Sequence, residues 1–127
     1  MGILANVLKS IFGGAGDQAV TVVTSMHPAG YEEYGRRFIE TFEPCWPANY
    51  RLRIYAEGFA LRPGPRTSVL DLLQEVPEIA EFRERFKNNP RARGKMPDGG
   101  YNYLLDAVKF ANKSFATAHA ARSCGTR

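Results

Sequence analysis

The sequence predicts a single α/β domain with few strands and a large share of helix. Three observations carry that prediction: a β-branched run over residues 20–24, an alternating apolar pattern over residues 51–56, and helical apolar periodicity between and after them. With 127 residues, 44% of them hydrophobic and 24% charged, the chain is long enough for one buried core and short for two.

Ile3, Leu4, Val7, Leu8, Ile11 and Phe12 recur at helical spacing, which places all six on one side of a short amphipathic helix. Gly13, Gly14 and Gly16 end it and form a flexible joint. Residues 1–16 therefore read as a helix with a Gly-rich joint, outside a domain body formed by residues 17–127. A helix of about ten residues is marginal alone in water. Its apolar face packs either on its own domain or on a protein partner, a second copy included. Lys9 is its only cation, which argues against a membrane-surface role. The same stretch lacks the basic n-region of a signal peptide. No apolar run approaches the roughly 20 residues that span a bilayer, so no membrane span is expected.

Val20, Thr21, Val22, Val23 and Thr24 form a run too short for a helix and suited to a buried strand. Residues 25–30 read as a loop punctuated by Pro28 and Gly30. Tyr31, Tyr34, Phe38 and Phe42 then mark a helix expected to end before Pro44. Leu52, Ile54 and Ala56 alternate with Arg51, Arg53 and Tyr55 as a second strand, closed by Gly58. Residues 62–66 make a stiff Pro-rich linker. Ser68 with Asp71 three residues on approximates a capping box, so Val69, Leu70, Leu72, Leu73 and Val76 are expected on a helix. Pro77 suits the first turn of another, with Ile79, Phe82 and Phe86 on its apolar face and a stop near Asn88, Asn89 and Pro90. Residues 91–100 read as a basic, Gly-rich mobile loop. The last helix is expected over residues 103–122, with Leu104, Val108, Ala111, Phe115 and Ala118 as its buried stripe and Asp106, Lys109 and Lys113 opposite. Two strands bury little and leave long edges, so either the helices form most of the core or another chain completes the sheet.

The formal net charge of +4 is uneven: residues 83–95 hold six of the cations against Glu84 alone. That stretch contains no aromatic residue between Lys87 and Lys95 for base stacking, which ranks nucleic acid last among the partners considered. Cys45 and Cys124 lie far apart without ligand spacing, consistent with two reduced thiols in a cytoplasm and with neither a disulfide framework nor a metal site. His27 and His119 belong to no triad or His/Cys/Glu cluster in sequence.

Ligands of open α/β sheets gather beyond the C-terminal strand ends. Thr24, Ser25, Met26 and His27 occupy the first such end and Glu57 the second. Thr24 and Ser25 either hydrogen-bond a ligand or cap the following helix, and Glu57 either accepts from ribose hydroxyls or a base N–H or is simply solvated. Lys109 and Lys113 are either a solvated face or a pair of ammonium groups facing a diphosphate. No Gly-rich phosphate loop of standard spacing is present.

Residues 21–42 (TVVTSMHPAGYEEYGRRFIETF), 51–59 (RLRIYAEGF), 71–90 (DLLQEVPEIAEFRERFKNNP) and 101–121 (YNYLLDAVKFANKSFATAHAA) occur in linked order. Together they give the segment from Val20 to Arg122, about four fifths of the chain, a resemblance to the N-terminal portion of glycosyltransferase-like proteins of bacteriophages and proteobacteria. The resemblance implies a partial Rossmann-like, GT-A-like half-domain. It implies a nucleotide-sugar over the first strand ends, with a lysine in the counterpart of residues 110–114 nearby. In that family a further strand brings an Asp-x-Asp that holds a divalent metal. Here the sequence departs: Asp17, Asp71, Asp98 and Asp106 never form Asp-x-Asp. A catalytically incomplete domain that retains nucleotide-sugar binding is therefore expected, with no catalytic residues, no metal ligands and no cofactor in this chain. The rival expectation is a structural or assembly protein of a phage particle that reuses the half-domain as a packing module. The corresponding locations are the cytoplasm of a bacterial host or the particle itself.

Overall fold

The computed structural model describes residues 19–124. The expected N-terminal helix with Ile3, Leu4, Val7, Leu8, Ile11 and Phe12 lies outside the described residues. The body is mixed α/β, built on a three-stranded parallel sheet in the order β1 (Val20–Met26), β2 (Tyr50–Ala56), β3 (Thr67–Asp71). Val22 pairs with Leu52 across the first interface, and Ile54 with Val69 across the second.

The two sheet faces carry separate cores, because successive strand side chains point to opposite sides. On one face Met26, Phe42, Leu52 and Ile54 are buried, with Val22, Phe38, Trp46 and Val69 packed against them. That face is covered by helix α1 (residues 28–45). Helix α1 opens as an α-turn at Pro28–Gly30, widens to a π-turn over Tyr31–Gly35 and returns to α-helix over Arg36–Cys45. Gly35 lets it lie on β1: a Cβ there would meet Met26 Sδ at 2.8 Å. The helix starts three residues earlier than the aromatic spacing predicts, because His27 is its N-cap. His27 Nδ1 accepts from the Gly30 amide at 3.1 Å, and Pro28 fills N1. It also runs through Pro44, which sits in the final turn.

Residues 57–66 connect β2 to β3 without a helix. Phe59 and Leu61 fold back from this loop onto the α1 core. The expected helix from Ser68 is instead strand β3 followed by a single helical turn, α2 (Leu72–Glu75). Asp71 is the actual cap, accepting from the amides of Leu73 and Gln74 at 3.0 Å each. Thr67 and Val69 suit the free edge of β2, and pairing there satisfies more backbone groups than one more helical turn.

The opposite face buries Tyr55, Leu72, Val76, Ile79, Ala116 and Ala120. It is covered by α3 (Glu78–Phe86) and α4 (Ala107–Ser123). The expected stripe on the last helix is corrected. Leu104 belongs to a 3-10 turn, Tyr103–Leu105, and is 64% exposed, and Ala118 is exposed too. The buried line is Ala111, Asn112, Ala116 and Ala120, small residues that let α4 lie close to the strands. Asp106, expected on the solvated face, is buried as the N-cap of α4. Residues 91–100 form an ordered turn structure in place of a loose loop. A 3-10 turn at Arg91–Arg93 leads into a Lys95–Tyr101 bridge closed by Met96 N–H to Gly100 O at 2.8 Å.

Candidate functional site

The C-terminal ends of β1 and β2 open onto a cleft walled by the start of α4, with α3 and the Arg91–Arg93 turn at its side. Its wider part, about 550 Å³, is lined by His27, Glu57, Arg83, Arg93, Lys109 and Asn112, among others. An adjoining part of about 200 Å³ shares His27, Glu57, Lys109 and Asn112 and adds Ser25, Tyr34, Tyr103, Phe110 and Lys113. Four of the five candidates from sequence, Ser25, Glu57, Lys109 and Lys113, thus converge on one cavity. Thr24 does not. It lines a separate depression of about 170 Å³ with Ser25 and Lys113, and its hydroxyl donates to the Ser25 carbonyl at 3.4 Å.

Ser25 is 7% exposed, and its Oγ has no hydrogen-bond partner. A buried hydroxyl left unpaired costs on the order of 1–3 kcal/mol, and this one borders the narrower part of the cavity. It does not cap α1, since His27 does. Asn112, 3% exposed, accepts from Arg83 Nη2 at 3.0 Å, while Arg83 Nε is buried without a partner. Asp106 ties the cleft floor together: Oδ1 accepts from the Lys109 amide at 3.0 Å and Oδ2 from Tyr101 Oη at 2.8 Å. The free charges facing the cavity are therefore mainly cationic, with Glu57 as the uncommitted carboxylate of the opposite wall.

His27, at the first strand end as the sequence places it, also lines the cleft, whereas Tyr34, Arg83, Arg93, Tyr103, Phe110 and Asn112 are wall residues that the sequence pattern does not single out. The polar Asn112 inside the apolar register of α4 is the one available signal. Among the described residues, no group of three or more His, Cys, Asp or Glu side chains is arranged to hold a metal ion. The Asp-x-Asp that the family resemblance implies for a divalent metal is missing from the sequence. Among the described residues no helix is long and apolar enough to cross a membrane. Searches found no family model, no curated protein and no solved structure that matches the chain.

Proposed function

We propose that this chain is a glycosyltransferase-like half-domain that binds a nucleoside diphosphate, or the diphosphate portion of a nucleotide-sugar, without carrying out transfer by itself. The observation that carries this reading is the convergence of the unpartnered Ser25 hydroxyl with Lys109 and Lys113 on one cavity opposite Glu57. Two ammonium groups and two arginines around the cavity supply the charge-assisted donors that a diphosphate needs. Glu57 suits ribose hydroxyls or a base N–H. The lack of an Asp-x-Asp in the sequence supports binding without turnover, since a leaving diphosphate then lacks a metal-borne Lewis acid.

Calorimetry with uridine diphosphate tests the reading. Lys113→Glu should weaken binding roughly tenfold or more, and Ser25→Ala by several-fold. Unchanged affinity in both variants returns these residues to a structural role. In parallel, a panel of sugar nucleotides with manganese or magnesium should show no release above a protein-free blank. A second reading, an assembly module, is favoured by one observation: among the described residues, the outer edges of β1 and β3 pair with no further strand.

A further inference from the structure

In the sequence the basic stretch from Arg83 to Lys95 stands apart from the rings that follow it, and the fold removes that separation. Gly94, at φ 70°, sits so close to Tyr101 that a Cβ would come within 2.9 Å of the ring. Lys95 pairs with Tyr101 across a backbone bridge. Lys109 Nζ lies 5.7 Å from the Tyr101 centroid and lines both parts of the cleft. Four residues on, about 6 Å along the axis, Lys113 lines the narrower part with Tyr34, Tyr103 and Phe110. The Tyr103 and Phe110 rings are 6.3 Å apart, and they are 61% and 43% exposed. Cations and exposed rings are thus brought together: Lys95 and Tyr101 on the bridged turn, Lys109 beside Tyr101, and Tyr103, Phe110 and Lys113 around the narrower part with Lys109.

From this juxtaposition we infer that the surface from Lys95 to Lys113 binds single-stranded nucleic acid. The ammonium groups neutralise successive phosphates, and the rings offer faces on which bases stack whatever their identity. An unpaired strand fits better than a duplex, whose stacked base faces are hidden. Arg93 extends the positive wall beside Lys109. The acidic groups near the surface are Asp98 in the Lys95–Tyr101 turn, which accepts from the Gly100 amide, Asp106, held by Tyr101 and the Lys109 amide, and Glu57 in the cleft, which can accept from base amino groups. The surface shares Lys109, Tyr103, Phe110 and Lys113 with the proposed nucleotide cleft and adds Lys95 and Tyr101, so the two readings are separated by which ligand binds.

Fluorescence anisotropy of the full chain with a labelled 20-mer oligothymidylate is the test. With about four phosphates neutralised, affinity should fall roughly 50-fold between 50 and 200 mM salt. Tyr103→Ala and Phe110→Ala, both at exposed positions, should each weaken binding about fivefold or more, with thermal melts unchanged. No binding at 50 mM salt overturns the inference. So does preference for a duplex of equal length, or affinity for heparin equal to that for the 20-mer and indifferent to the ring substitutions. Binding of uridine diphosphate without binding of the 20-mer also overturns it, while leaving the nucleotide reading standing.

Discussion

Arg66 holds more backbone carbonyls than any ordinary surface arginine has reason to. Its guanidinium donates to the carbonyls of Glu43 at 2.8 Å, Pro47 at 2.6 Å and Tyr50 at 3.0 Å, and more loosely to Phe42 and Trp46. These carbonyls lie at the end of α1 and in the turn into β2, so one side chain ties the close of the helix to the start of the second strand. The planar five-donor fork makes these bonds together, a geometry that a lysine ammonium does not offer. Arg66→Ala should lower stability by roughly 2–3 kcal/mol, read by urea denaturation. Glu43 completes the arrangement, accepting from Arg66 Nε at 2.8 Å and from its amide at 2.9 Å. The side-chain hydrogen bond from Arg66, then the backbone one, hold the Glu43 carboxyl below the usual glutamate range. A folded-state value below the unfolded one means stability that is present above about pH 4.3 and lost as pH falls through the folded value. Glu43→Gln should therefore be less stable than the parent at pH 7, with the gap closing as both are melted at progressively lower pH. A gap constant across that range would remove the ion pair from the account. Gly94 is a second single-residue constraint. An alanine there would meet the Asn102 carbonyl at 2.5 Å in a left-handed backbone, costing at least about 1 kcal/mol and displacing Lys95 from Tyr101.

At the level of elements, the strands β1 and β2 and helices α1, α3 and α4 were legible, because each has one dominant period. Residues 67–76 were not. Val69, Leu70, Leu72, Leu73 and Val76 fit a helical face as well as they fit a strand running into a turn, and short apolar runs do not discriminate. What decides is the edge of β2, which the local sequence cannot display. The last helix shows a different limit. Its helical period places Ala111 and Phe115 against the core as expected, but the stripe fails at its ends: Leu104 and Ala118 are exposed, and the close approach to the sheet selects Asn112, Ala116 and Ala120 beside Ala111. The candidate site was legible to the extent that strand ends and lysines on one helix face were named. The walls contributed by Arg83, Tyr103 and Phe110 depend on how α3 and α4 pack, which no local pattern encodes. Asp106 links these scales, since it caps α4 and anchors Tyr101. Asp106→Ala should cost about 1–2 kcal/mol in thermal or chemical denaturation, and Asp106→Asn, which keeps a capping oxygen, clearly less. Equal losses in the two variants would show that charge, not capping, is what Asp106 supplies.

For the whole molecule the decisive feature is a sheet of three parallel strands. Parallel sheets are ordinarily covered on both faces and extended beyond three strands. Here both faces are covered, by α1 with residues 57–66 on one side and by α3 with α4 on the other. The outer edges of β1 and β3 pair with no strand among the described residues. Edges of that kind template association with other chains. The sequence places Ile3, Leu4, Val7, Leu8, Ile11 and Phe12 ahead of β1, with Gly13, Gly14 and Gly16 between. Full burial of each such side chain stabilises by roughly 1.5–3 kcal/mol, which in sum exceeds the cost of ordering a short segment and associating. The expected outcome is that the intact chain self-associates or joins a larger assembly at micromolar concentration, and that deleting residues 1–14 lowers its mass by light scattering. Replacing Val22 and Val69 would not test this, because both pack into the α1 core and their loss would unfold the body. A charge introduced at Val20, at the exposed start of β1, probes the edge alone. If the intact chain, the truncated chain and Val20→Lys all run as monodisperse monomers, neither the edges nor the leading segment mediates assembly, and the packing-module reading fails while the cleft and its ligand are untouched.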